Sequence, residues 1–531
     1  MTPPQALPVM RPSARSIDSV LTARWARLAI PSLSDMFFLA VLVWLFMSSG
    51  AAGWQGLLLD GDAGWHIRTG QYILDHHAVP HQDLYSFSKP GAPWYAWEWG
   101  SDVLFGWLER IAGLKGIVLL TGALLAVFAT TLVRRMVWRG VHAFVALGVA
   151  LISVGASSIH FLARPHIFTL LFLSISTWVI ESDRQRRSRR IWLLVPLTVL
   201  WTNLHGGFLA LIALLGLCAV GTAVEALLIS GPWSARGIWG GFWWRNAIRY
   251  GGLALACTAA SLINPYGYQL HVHIYEYLRS DWIKNVVQEF MSPSFRNENM
   301  LQFEILLLLG LIAVGGFFRR KAVVEGLWIL FFAHISLGSA RHVPLYATVA
   351  GPLVAWELAN WWKGWTRRAP KKSFPAIFNQ MAVDSASGFR RTSLWPVAVL
   401  VGLAFAGAQV PWPKDFPEID FPIHLVHEHA AQILASRVLT TDQWADYLIY
   451  VNPQQKVFMD GRSDFYGSEI GDQYLHLLNG APDWRDLVEK YRFNLALLPR
   501  EMPAAQLLKT QADWYIAGGD DKRILLARSI P

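Results

Sequence analysis

The chain has 531 residues, of which 53% are hydrophobic and 16% charged, with a formal net charge of +9. So apolar a composition cannot give one globular core a water-facing surface, and it excludes intrinsic disorder as well. The Lys and Arg residues come in short clusters between apolar runs, as in a polytopic membrane protein and not a nucleic-acid binder, and both cysteines, Cys218 and Cys257, lie inside apolar runs, which excludes a disulfide framework.

In chain order, apolar windows of about 20 residues predict about eleven transmembrane helices. They fall near 34–53, 115–133, 141–160, 165–181, 190–203, 207–229, 249–263, 303–318, 322–338, 343–361 and 394–410. The stretch 190–229 is too long for one crossing and is split at the polar, Gly-rich run Asn203-Leu204-His205-Gly206-Gly207. Tryptophans close to the ends of the apolar runs, such as Trp94, Trp97, Trp99, Trp361, Trp362 and Trp365, fit an aromatic belt at the headgroups.

Short loops rich in Lys and Arg stay in the cytoplasm. Basic clusters precede span one (Arg11, Arg15, Arg24, Arg27) and follow span two (Arg134, Arg135, Arg139), span four (Arg184, Arg186, Arg187, Arg189, Arg190), span six (Arg236, Arg245), span eight (Arg319, Arg320, Lys321) and span ten (Lys363, Arg367, Arg368, Lys371, Lys372, Arg390, Arg391). Read as topology signals, they place segment 1–33 in the cytoplasm and make the first span an uncleaved anchor. Residues 34–410 form the membrane domain, with outer loops at 54–114 and 264–302, the latter with an interfacial helix around Tyr268 to Phe290. Residues 411–531 form a soluble extracytoplasmic tail.

That tail reads as a small α/β domain. Strands are expected at Val438–Asp442, Lys456–Asp460, Asn494–Leu498, Trp514–Ala517 and Arg523–Ala527, with helices at Gln443–Tyr450 and Trp484–Tyr491. Alternating strands and helices imply a largely parallel sheet, whose ligands bind beyond the strand ends, where Asp442 and Asp460-Gly461-Arg462 sit.

Charged groups at membrane depth face a protein interior or a water-filled cavity. Asp60 and Asp62, Arg164 and His166, Asn203 and His205, and Arg341 and His342 all fall on the outer side, although the orientation rests on the cytoplasmic clusters alone. With His66, Arg68 and Glu98 of the first loop, they predict a cavity that holds an anionic, polar substrate and moves a proton. Singly, each has a structural reading: Asp60-Gly-Asp62 as a helix cap, His205-Gly-Gly207 as a close-packed turn, Arg164 and Arg341 as headgroup anchors, and Asp460-Gly-Arg462-Ser-Asp464 as a turn held by an Asp–Arg pair.

Asp60-Gly-Asp-Ala-Gly-Trp-His66, Gly70-Gln-Tyr-Ile-Leu74, Asp83-Leu-Tyr-Ser-Phe-Ser88 and the run Trp94 to Trp99 together resemble the bacterial polytopic membrane proteins with the GT-C glycosyltransferase fold. Ala163-Arg-Pro-His166, Trp201 to Phe208, Asn264-Pro-Tyr-Gly267 and Asp460 to Asp464 extend the resemblance to one branch over most of the chain. The resemblance implies an α-helical polytopic protein of the bacterial inner membrane. It implies a polyprenyl-phosphate sugar donor such as an undecaprenyl one, and inverting transfer to a hydroxyl of a glycan, lipid or protein acceptor at the outer face. It further implies a first-loop aspartate, Asp60 or Asp62, as general base, with Arg164, His166, Arg341 and His342 on the phosphate side. Some such enzymes bind Mg²⁺ or Mn²⁺ at the acidic pair, here Asp60 and Asp62. The cytoplasmic segments carry no Walker or dinucleotide motif, in keeping with a lipid-phosphate donor. Two other readings are a lipid-phosphate carrier without chemistry and an accessory subunit whose tail docks a partner.

Overall fold

A computed structural model gives the fold and describes residues 28–47, 50–230, 242–296, 300–368, 370, 372–407 and 410–529. Arg11, Arg15, Arg24, Arg27, Arg236 and Lys371, and most of segment 1–33, lie outside the described residues.

Each predicted apolar window holds a helix: Leu33–Met47, Leu114–Trp138, Ala143–Ser157, His166–Gln185, Leu194–Leu204, Leu209–Ser230, Phe242–Ala260, Met300–Arg319, Val323–Gly338, Val343–Thr366 and Trp395–Phe405. Among the described residues, length and composition suffice for a membrane crossing in 4 helical stretches, Leu114–Trp138, Ala143–His160, Gly206–Leu228 and Met300–Arg319. Leu33–Met47, Val323–Gly338 and Trp395–Phe405 are apolar but shorter. The expected break after Asn203 is present. His205 is fully extended (φ −168°, ψ 147°) between helices that end at Leu204 and resume at Leu209.

Several basic residues expected to mark topology also hold the bundle together. Arg135 is fully buried and meets both carboxylate oxygens of Glu181 at 2.8 Å. Arg139 reaches Glu181 at 2.5 Å and Glu325 at 3.2 Å, and Arg184 reaches Glu225 at 3.1 Å and Glu325 at 3.4 Å. Buried charges persist only when paired in this way, and this network ties four helices at one end of the bundle. The polar residues between helices three and four, five and six, and nine and ten lie at the other end.

The first loop, 54–114, expected on the outer side, is not irregular. Its helices Asp62–His76 and Trp99–Ala112 pack face to face, and the tail helix Asp442–Val451 covers the opposite side of the first of them. Glycine sets both contacts: a Cβ on Gly70 would meet the Asp102 carbonyl oxygen at 1.7 Å, and one on Gly64 would meet the Asp446 carbonyl oxygen at 2.5 Å. The 264–302 loop contributes Gln269–Arg279 and Asp281–Val286, where an interfacial helix is expected. The helix Phe374–Arg390, in a segment read only as a basic loop, adds an element that the apolar windows omit.

The tail has strands β1 (Val438–Thr440), β2 (Leu495–Pro499), β3 (Trp514–Gly519) and β4 (Arg523–Arg528) in the order β1-β2-β4-β3. Two expectations are corrected. Only β1 and β2 pair in parallel; the tight β3–β4 connection forces an antiparallel hairpin, and β4 returns antiparallel to β2. The segment Lys456–Asp460 is no sheet strand, because its backbone pairs with the first loop: the Val457 N–H donates to the Tyr85 carbonyl and the Phe87 N–H to the Val457 carbonyl, both at 2.9 Å.

Replacing Gly70 with Ala is expected to cost the roughly 1–3 kcal/mol of stability typical of overpacking, read as a lower unfolding midpoint followed by tryptophan fluorescence. An unchanged midpoint would mean that the two loop helices are not held this close.

Candidate active site

A cavity of about 570 Å³ opens where the first loop, the 264–302 loop, the helix breaks and the tail meet. Its wall brings together Asp60, Asp62, Glu98, Arg164, His166, His205 and Arg341 with Asp460, Arg462 and Asp464 of the tail.

Arg164 is the hub. It follows Ala163, whose N–H donates to the Leu57 carbonyl at 2.8 Å, and precedes Pro165, at the start of the helix His166–Gln185. Its guanidinium meets Asp60 Oδ2 at 2.8 Å and Asp62 Oδ2 at 2.5 Å. Asp60 also accepts the Asp62 N–H at 3.0 Å, so the cap expected of the Asp-Gly-Asp run exists alongside the ion pair. Glu289 lies 3.9 Å from Arg164 and 3.3 Å from Arg341 and links the two cations. Burial raises the Glu289 carboxyl, but Arg341 and Arg164 overcome it, so its pKa lies well below the ordinary range.

A second carboxylate pair lies behind the first. Asp446 is fully buried on the tail helix, and its Oδ1 accepts the Gly461 N–H at 3.0 Å. Asp446 Oδ2 and Asp62 Oδ1 have no hydrogen-bond partner and flank the same face of Gly461, where a Cβ would meet Asp62 Oδ1 at 1.9 Å and Asp446 Oδ2 at 2.9 Å. Burial first raises both carboxyls; the charges of Asp62 and Asp460 push Asp446 up further, whereas at Asp62 the pull of Arg164 opposes the push of Asp60.

Glu98 stands apart from the arginines. Among the described residues its ion-pair distances are to His66 Nε2, 3.6 Å, and His205 Nε2, 3.4 Å. His66 itself is fully buried, with Nδ1 2.6 Å from Asp102 Oδ1, so it supports the wall and does not line the cavity.

The tail signature Asp460 to Asp464 is a clamp. Arg462 meets Asp460 at 2.7 Å and Asp83 of the first loop at 2.8 Å, and the rings of Trp94, Tyr85 and Phe465 lie 4.5, 5.0 and 4.9 Å from its guanidinium carbon. Asp464 pairs with His273 at 2.9 Å. Other expected site residues lie off the cavity. Arg68 donates to the Tyr450 carbonyl and to Gln71, and Asn203 bonds Trp99 and the Val199 and Ile263 carbonyls.

A second, mostly apolar cavity of about 330 Å³ adjoins the first and holds His342 in its wall. Trp97, His166, His205, Tyr277 and Arg341 line both. Glu289, Tyr277 and Asp446 are additions that sequence reasoning missed. Only Asp446 leaves a trace there, as Asp442-x-x-x-Asp446 one turn apart on an otherwise apolar helix.

One oxygen of each of Asp60 and Asp62 faces the Arg164 guanidinium, and the other oxygen of Asp60 accepts the Asp62 N–H. Among the described residues no group of three or more His, Cys, Asp or Glu side chains is arranged to hold a metal ion. In this arrangement the residues do not fit Mg²⁺ or Mn²⁺.

No protein-family model matches the sequence, and no curated protein matches it. The fold does have solved counterparts. The apo oligosaccharyltransferase of Archaeoglobus fulgidus is similar over 91% of this chain and 70% of its own, with 11% identity and a TM-score of 0.52. The oligosaccharyltransferase AglB of the same organism, solved with an inhibitory peptide and a dolichol-phosphate, is similar over 88% of this chain and 69% of its own, with 11% identity and a TM-score of 0.57. The chain therefore has the GT-C-like fold of these membrane glycosyltransferases.

A carboxyl whose pKa is raised by folding holds its proton where the unfolded chain has released it, so its stabilising contribution is lost as pH rises from the unfolded value of 3.8 towards the folded one, about 7 for Asp62. Asp446→Asn should leave the unfolding midpoint near that of the wild type at about pH 4 and raise it at about pH 8. An equal midpoint at the higher pH would show that burial does not raise the Asp446 carboxyl.

Proposed function

We propose that the protein is a membrane glycosyltransferase that moves a sugar from a polyprenyl-phosphate donor to an acceptor hydroxyl at the outer face of a bacterial inner membrane. The observation that carries this reading is the junction of the two cavities. An apolar pocket and a charged one share Arg341, His205 and His166, which suits one amphiphile with an apolar chain, an anionic phosphate and a polar sugar. The fold shared with AglB, solved with a dolichol-phosphate, supports it. In this reading the helices in all eleven apolar windows cross the bilayer, segment 1–33 is cytoplasmic and the tail from 411 is extracytoplasmic.

The chain lies in the apolar cavity, the phosphate beside Arg341 and Arg164, and the sugar among the residues of the larger cavity. In the resting site Arg164 neutralises Asp60 and Asp62. An arriving phosphate competes for that guanidinium, and the carboxylate so released accepts the proton of the acceptor hydroxyl as its oxygen attacks the anomeric carbon. Attack from the side opposite the phosphate inverts the centre. The cationic groups stabilise charge on the departing phosphate.

Purified protein should consume at least one donor from a panel of polyprenyl-phosphate sugars. Asp60→Asn or Asp62→Asn should lower turnover by about 100-fold or more, and Arg164→Gln or Arg341→Gln should weaken donor binding. Donor binding without consumption under every acceptor condition would favour the carrier reading, and absence of binding would refute both.

A further inference from the structure

Among the described residues two acidic side chains of the cavity's first-loop wall have no arginine partner: Asp102, taken up by His66 at 2.6 Å, and Glu98, which lies between two imidazoles at 3.4 and 3.6 Å. The hydrogen bonds around it fix what its neighbours can offer. The Gly207 N–H donates to His205 Nδ1 at 3.0 Å, so that nitrogen carries no proton. The Thr169 hydroxyl, which accepts the Trp201 indole N–H at 2.8 Å, therefore donates to His205 Nδ1 over 2.7 Å. With Nδ1 occupied twice as an acceptor, His205 carries its proton on Nε2, 3.4 Å from Glu98 Oε1. On the other side, His66 is held through Nδ1 by Asp102, and its Nε2 has no hydrogen-bond partner and lies 3.6 Å from Glu98 Oε2.

Neither imidazole brings charge. Burial lowers the pKa of both, Arg164 lowers both further and Arg341 lowers that of His205, and both rings are neutral. Glu98 is thus a buried carboxyl between two neutral rings. Burial raises its pKa to about 8, against the pull of Arg164 and Arg341 and with some help from Asp464 and Asp62, so it holds a proton at neutral pH. Asp60, by contrast, meets the Arg164 guanidinium at 2.8 Å. One carboxyl set against a cation and another set between neutral rings in the same cavity is the general pattern of a base and an acid in one site. Position agrees: Glu98 follows Trp97 and approaches His205, two of the residues that line both cavities.

Resting on the glycosyl-transfer reading, we propose that Glu98 is a further catalytic residue, the general acid that protonates the departing phosphate oxygen, with His66 and Asp102 as the residues that position it. The acceptor oxygen bonds to the anomeric carbon as the bond from that carbon to the phosphate oxygen breaks, its electron pair leaving with the phosphate. The acceptor's proton goes to the first-loop aspartate and the Glu98 proton to the phosphate oxygen. Exchange of one proton between the two carboxyls and cavity water restores the site.

The test compares wild type, Glu98→Gln and Asp102→Asn on the polyprenyl-phosphate sugar that the wild type consumes, with infrared titration of the same proteins. Wild-type turnover should fall as pH rises through about 8. Glu98→Gln should lose about 100-fold in turnover and its alkaline limb while binding donor within about 2-fold. A polyprenyl-diphosphate donor, whose leaving group is less basic, should recover much of that loss. Asp102→Asn should shift the limb without abolishing it. In the infrared, Glu98→Gln should lack a protonated-carboxyl band that the wild type loses over the same pH range. Wild-type turnover that survives Glu98→Gln with its limb intact, or a carboxyl band unchanged by it, would overturn the role of Glu98 alone. A wild type that consumes no donor would instead overturn the transfer reading, and the acid role with it.

Discussion

The end of the helical bundle that carries the cavity is organised around one guanidinium. Arg164 holds Asp60 and Asp62 of the first loop and, with Arg341, shares Glu289 of the 264–302 loop. Four stretches of chain far apart in sequence converge because two cations and three carboxylates can leave water only together. Buried charges are costly unless compensated, so the network fixes where the loops lie. It also leaves the site near neutrality, with cations that a phosphate can claim.

The tail is part of that site and not an appendage. Its helix Asp442–Val451 sits against Gly61 and Gly64 of the first-loop helix, so closely that it places Asp446 behind Asp62. Arg462, buried among aromatic rings and paired with Asp83 and Asp460, fastens the tail to the first loop from the other side. The fully buried Asp460 and Arg462 therefore bear on the cavity by holding two units in register. The polarity of such a turn reads as ligand binding in a sequence and as packing in a structure, since a buried Arg is used here as a cross-brace.

Much of this was legible in the residues, and the limits are physical. Apolar windows mark helices wherever side chains meet an apolar surround, and the polar run from Asn203 to Gly207 marks a true break. The convergence of Asp60, Asp62, Arg164, His205 and Arg341 followed from topology alone. Partner choice was not legible. His66 and Glu98 look alike as polar residues of one loop, yet Asp102 takes the first into the interior and leaves the second on the wall. The run Lys456–Asp460 has the pattern of a strand, but its hydrogen bonds go to Tyr85 and Phe87, a partnership no local pattern announces. Arg135, Arg139 and Arg184 read as topology signals because their carboxylate partners lie on other helices.

The central claim is that one lipid phosphate spans both cavities. A cryo-electron microscopy structure of the full chain with a polyprenyl phosphate tests it directly. The account predicts the chain in the cavity lined by Leu170, Leu209 and Phe332, and the phosphate at the junction, within hydrogen-bond reach of Arg341 or Arg164. A lipid phosphate bound elsewhere, with this junction empty, would contradict it.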